Sequence, residues 1–153
     1  MIIIGEKING AIPSVKQAIA ERNEALIIER TLAQAAAGAN FLDCAPSTAT
    51  EIEYETMVWL IGLMQGATNV PLCIDSPNAK LLARVIEEGH LNKPGMVNSV
   101  NEEGDKCETI FPLIAGTPWE VVGLTCDQEG IPADPAKKVE IAKRIIDKAF
   151  KYG

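Results

Sequence analysis

The chain has 153 residues, 47% of them hydrophobic and 23% charged, which is enough material for one domain with a core. Its net charge of −7 argues against nucleic acid or anionic lipid binding through a basic surface. No apolar run reaches the length of a membrane span, and Met1-Ile2-Ile3-Ile4-Gly5-Glu6-Lys7 lacks the basic lead and long apolar segment of a signal peptide, so a cytoplasmic protein is expected.

Ile2-Ile3-Ile4 is β-branched and predicts the first strand, ending in the polar tip Gly5-Glu6-Lys7-Ile8-Asn9-Gly10. A short helix follows over Val15 to Glu21. Asn23 is placed to cap the next helix, which runs to about Ala37 with Leu26, Ile28, Leu32, Ala35 and Ala36 as its apolar face and Gly38 as its stop. Asn40 to Pro46 holds a second strand with Asp43 near its end. Ser47 or Thr50 then caps a helix over Glu51 to Gln65, in which Met57, Leu60, Ile61 and Met64 repeat at helical spacing. With Trp59 nearby, that stripe reads as core or oligomer surface.

Pro71-Leu72-Cys73-Ile74-Asp75-Ser76-Pro77-Asn78 carries the clearest signal. Its apolar run suits a strand buried on both faces, and it stops abruptly at polar groups. Ser76 or Asn78 caps a helix over Ala79 to Glu88, with Leu81, Leu82, Val85 and Ile86 turned inward. His90 follows in a loop as an ordinary surface residue. Gly95 to Asn101 is the fourth strand and tip, and the next helix runs through Cys107, Ile110, Phe111, Leu113 and Ile114. Glu120 to Thr125 is the fifth strand, with Cys126 to Pro132 as its tip. Asp134 and Pro135 open the last helix, whose buried stripe is expected to be Ile141, Ala142, Ile145, Ile146, Ala149 and Phe150.

Five strand–helix units without a hairpin signal imply a parallel α/β sheet. A closed eight-unit barrel takes about 250 residues, so the array is either an open doubly wound sheet or about five βα units of a TIM-type barrel. Either way the strand ends share one face, gathering Glu6, Asn9, Asp43, Asp75, Asn98, Asn101 and Asp127. Carboxylates and amides in that mixture suit a ligand rich in N–H donors, such as the guanidine-like edge of a reduced pterin. One histidine excludes a Ser–His–Asp set, and there is no phosphate-binding glycine loop. The cysteines Cys44, Cys73, Cys107 and Cys126 form no CxxC pair and read as buried free thiols. No metal site is expected.

Five motifs in order carry a resemblance. They are Gly5-Glu6-Lys7-Ile8-Asn9-Gly10, Leu42-Asp43, Leu72-Cys73-Ile74-Asp75-Ser76, Val97-Asn98-Ser99-Val100-Asn101 and Gly123-Leu124-Thr125-Cys126-Asp127-Gln128-Glu129-Gly130-Ile131-Pro132. Together they resemble the pterin-binding methyltransferases: methyltetrahydrofolate:corrinoid/iron-sulfur protein methyltransferase and the folate domain of cobalamin-dependent methionine synthase. Dihydropteroate synthase is a more distant relative. Lys7 stands where that family more often has Arg.

The resemblance implies that residues 1–153 are the N-terminal portion of a pterin-binding (β/α)8 barrel. It implies methyltetrahydrofolate as substrate and transfer of its N5-methyl group to or from the cobalt of a corrinoid (cobalamin) on a partner protein. It assigns Asp75 and Asn98 the catalytic, ring-contacting role. Glu6, Asn9, Asp43, Ser76, Ser99 and Asp127 complete the pterin pocket. The family's later pterin-binding Asp and its Asn near N5 would fall after Gly153. An incomplete barrel leaves strand edges uncovered, so a homodimer is expected. The competing readings are a non-catalytic pterin-binding half-barrel that self-associates and a dihydropteroate-synthase-like enzyme.

Overall fold

The computed structural model describes all 153 residues. The elements are β1 (Ile4–Gly5), α1 (Pro13–Ala20), α2 (Glu24–Ala36), β2 (Phe41–Cys44), α3 (Thr50–Ala67), β3 (Leu72–Asp75), α4 (Ala79–Glu87), β4 (Met96–Val100), α5 (Lys106–Ile114), β5 (Glu120–Gly123) and α6 (Pro135–Tyr152). The strands lie in chain order, β1-β2-β3-β4-β5, and every neighbouring pair is parallel.

That order decides between the two architectures. A doubly wound sheet reverses its strand order partway and carries helices on both faces. Here the order never reverses, and all six helices pack on one face. Leu42, Cys44, Leu72, Ile74 and Val97 point outward into a single core with Val15, Ile27, Met57, Leu60, Leu82, Ile110 and Ile141. The alternate residues Phe41, Cys73 and Met96 form a separate small cluster with Ile4 and Val122 and touch no helix. A parallel sheet with helices outside and its own apolar layer inside is a curled half-barrel of the TIM type. No helix is long and apolar enough to cross a membrane.

Local chemistry explains most boundaries. Asn23, Asn78 and Asp134 each accept a backbone N–H in the first turn of the helix they precede: Leu26 and Leu81 at 3.2 Å and Ala136 at 2.9 Å. Gly38 follows α2 with φ +87°, the left-handed conformation that ends a helix at least cost in glycine.

Several expectations need correction. β1 starts at Ile4, and Met1, Ile2 and Ile3 are exposed because only one neighbouring strand flanks them. α2 buries Ile27, Thr31 and Gln34 and leaves Leu32 outside. Thr31 caps its own helix carbonyl and Gln34 reaches β1, so polar residues occupy the inward face. α3 has Ala49 at its N-cap and no side-chain cap. α6 buries only Ile141 and Ile145, and Ile146 and Phe150 stay exposed because α6 packs chiefly against α5. His90 is not a solitary surface residue, since its Nε2 lies 2.8 Å from the Tyr54 hydroxyl and 3.1 Å from Glu88.

Two glycines permit the strands to close on one another. A Cβ on Gly95 would lie 2.1 Å from the Leu72 carbonyl oxygen, and one on Gly10 would lie 2.0 Å from that of Pro46. Gly62, inside α3, faces open space. The two environments give opposite expectations. Gly95→Ala forces backbone apart and is expected to cost about 1–3 kcal/mol, and Gly62→Ala is expected to stabilise by about 0.5–1 kcal/mol. Urea denaturation of both variants checks the pair.

Candidate functional site

The inward residues change character toward the C-terminal ends of the strands. Ile4 and Phe41 are registered together; above them come Asp43, Cys73 and Met96, and then Asp75, Asn98 and Val122. The side-chain alternation of the strands dictates this stacking. An apolar floor therefore carries carboxylates and an amide, with Asp75 and Asn98 side by side on adjacent strands and Asp43 one layer deeper. The β4–β5 register shifts between Asn98 and Val100, where Ser99 sits.

The electrostatics are unusual. Asp43 is 1% exposed, and its Oδ1 has no hydrogen-bond partner. Burial, then the nearby charges of Asp75 and Glu6, push its carboxyl up to about 7, against the opposing pull of Cys73 and Asn98. Burial also raises Asp75, helped by Glu6 and Glu53. No ion pair reaches Glu6, Asp43, Glu53 or Asp75. Burial drives the thiols of Cys44 and Cys73 far above their ordinary range, so neither is a thiolate near neutrality.

Asp75, Ser76, Asn98 and Ser99 line a cavity of about 450 Å3, within the range of small-molecule sites. Asn101, Glu103, Lys106 and Cys126 line it too. Asn101 is buried and donates to Glu103 Oε2 at 2.9 Å and to Cys126 Sγ at 3.1 Å. Glu103 in turn holds the Lys106 ammonium at 2.9 Å. This chain ties the β4 tip to the β5 tip and neutralises the one cation in the cavity wall.

Glu6 is exposed at the β1 tip, close enough to raise both aspartates. Asn9 is engaged locally: its Oδ1 accepts from Ala11 N at 2.9 Å and lies 3.3 Å from Ser47 Oγ, while the chain bridges to Ala45. Ser76 donates to Glu53 Oε1 at 2.6 Å and accepts from Asn78 N at 3.0 Å, so it shapes the turn as well as the wall. Asp127 belongs to a different arrangement. It accepts from Glu129 N at 3.0 Å and pairs with Lys137 at 3.4 Å.

Sequence reasoning missed Glu53, Cys73, Glu103, Lys106 and Cys126. Glu53 looked like an ordinary first-turn acid, yet it is buried against the β3 tip. Cys73 had a readable signal, since it sits two residues before Asp75 and therefore shares its face.

No family model matches the chain. It is similar to a methylcorrinoid:tetrahydrofolate methyltransferase of Eubacterium limosum, 49% identical over 154 residues, which are 99% of this chain and 56% of that protein. It is also 29% identical over 153 residues to the methionine synthases of Mycobacterium leprae and Mycobacterium tuberculosis, covering 96% of this chain but 12% and 13% of theirs. The chain thus spans about half the length of the first relative. The resemblance carried by the motifs extends over the whole chain.

The raised Asp43 carboxyl has a consequence for stability. Between the unfolded value of 3.8 and about 7, the native chain keeps a proton that the unfolded chain has lost. Its contribution is fully present below about pH 4, declines as pH rises through about 7, and then levels off. Asp43→Asn removes that decline, so the variant is expected to gain on the wild type by on the order of a few kcal/mol between pH 4 and pH 8. Urea midpoints across that range measure it, and parallel curves would exclude the perturbed carboxyl.

Proposed function

We propose that residues 1–153 form the pterin-binding part of a methyltransferase that moves a methyl group between N5 of tetrahydrofolate and the cobalt of a corrinoid protein. The carrying observation is the buried acceptor set at the strand ends. Asp43 Oδ1 is enclosed and without a partner, and Asp75 and Asn98 stand beside it. Acceptors of that kind call for N–H donors from a ligand. The edge of a reduced pterin supplies several, and its ring is neutral, which suits an acid-lined pocket better than a phosphate does. The name of the Eubacterium limosum relative combines the two substrates this reading requires.

In this reading Asp75 and Asn98 fix the plane and rotation of the pterin, and Asn98 offers both a donor and an acceptor. Asp43 lies beneath them, where a carboxyl held near neutrality can keep or yield a proton as ring donors approach. Glu6, Ser76 and Ser99 form the rim, and Asn9 fixes the β1 tip. Asp127 contributes through the β5 tip. The corrinoid, carried by its own protein, supplies the cobalt that accepts or gives the methyl group. This chain holds N5 in place and keeps the pterin face dry.

Two further parts of the reading rest on surface chemistry. Exposed Ile2, Ile3, Ile146 and Phe150 support self-association as a homodimer. Four buried free thiols fit a reducing cytoplasm, and the net charge of −7 fits the absence of nucleic acid.

Calorimetric titration with methyltetrahydrofolate tests the proposal. Asp75→Ala removes a charged hydrogen bond, expected at about 1.5–3 kcal/mol, so affinity should fall roughly tenfold or more. Asn98→Ala should cost about 0.5–1.5 kcal/mol. Unchanged affinity in both folded variants would sink the assignment.

A further inference from the structure

A second cavity, of about 420 Å3, lies away from the strand-end cluster, between α1, the β2–α3 loop and α3. Its polar lining is Lys16, Arg22, Ser47, Thr48 and Thr56, with not one carboxylate. Ile19 and Ile52 are among its apolar walls. In a chain of net charge −7 this is a local reversal of sign.

The two cations are uncommitted. Neither Lys16 nor Arg22 takes part in any of the ion pairs of the structure. The Arg22 guanidinium instead lies 4.5 Å from the centre of the Trp59 ring. Stacking of that kind holds the guanidinium plane and leaves its N–H edges free for an acceptor. The Thr48 hydroxyl oxygen is buried without a hydrogen-bond partner. The cavity also meets the start of α3, an 18-residue helix whose N-cap, Ala49, offers its first-turn N–H groups no side-chain oxygen. Of the acids in that turn, Glu53 is turned away to Ser76 and Glu51 is exposed. In the strand-end cavity, by contrast, Lys106 is already paired with Glu103.

We propose that this cavity is an oxyanion site for a small organic acid, with Lys16, Arg22 and the Thr48 hydroxyl taking the anionic end and Ile19 and Ile52 taking an apolar body. Two sources carry that chemistry: a free organic acid, and the acidic tail of a folate seated in the neighbouring cluster. The β1 tip links the two regions: Ser47 Oγ lies 3.3 Å from Asn9 Oδ1, and Gly10 packs against Pro46.

The test is an amide NMR titration of the isotope-labelled full chain with sodium valerate at constant ionic strength. Saturable shifts confined to Thr48, Ala49, Thr50 and Glu51 are expected, with 1-pentanol producing none of them. Lys16→Gln with Arg22→Gln should weaken valerate by about tenfold or more, and Lys143→Gln, an exposed lysine elsewhere on α6, should leave it unchanged. Repeating the titration with methyltetrahydrofolate present distinguishes the sources. Competition assigns the site to the folate tail, and independent binding assigns it to a separate acid. Shifts that rise linearly, scatter over the surface, or survive the double substitution would overturn the proposal. The valerate arm reads this cavity alone, so its failure leaves the strand-end reading standing.

Discussion

The register of the parallel strands is the constraint on which the rest depends. Once Asp43 pairs with Cys73 and Asp75 with Asn98, alternation sends these side chains inward and sends Leu42, Ile74 and Val97 outward. A slip of one residue would exchange the faces, placing aspartates against the helices and leucines in the pocket. The outer core fixes the register because it holds most of the buried apolar area. The inner polar layer is carried along and bears the cost of desolvating acids that no cation pairs with.

In the proposed reading that cost links fold and function. A buried carboxyl oxygen that accepts no hydrogen bond is unfavourable, and burial together with Asp75 and Glu6 raises Asp43 to about 7. In the proposed reading, a ligand bringing N–H donors relieves that penalty as it binds. Glu53 and Ser76 hold the β3 tip, Asn101 joins β4 to Cys126 beyond β5, and Gly10 lets the β1 tip lie against the β2 tip.

Much of this was legible in the residues. The strand of Leu72 to Asp75, the caps Asn23, Asn78 and Asp134, and the core stripe Met57, Leu60, Ile61 and Met64 follow from local chemistry, and the structure has them. Asp75 and Asn98 could be placed on one face because strand periodicity is two. Two kinds of fact were beyond local chemistry. The first is strand order, which separates a half-barrel from a doubly wound sheet and is a long-range property. The second is which residues of a helix turn inward: Thr31 and Gln34 displaced Leu32 in α2, and Ile146 and Phe150 stay exposed in α6. Glu53 was hidden for a related reason, since a first-turn acid looks the same in sequence whether it caps a helix or enters a site.

The central claim is that the strand-end acids await an N–H-rich neutral ligand. Its most direct test is the proton balance of binding. Methyltetrahydrofolate should be titrated at pH 6 in two buffers of different ionisation enthalpy, with calorimetric heats compared. Donors approaching Asp43 favour its ionised form, so the account expects a proton to be released to the buffer, with release lost in Asp43→Asn. Saturable binding with no proton exchange, or with uptake, would contradict it.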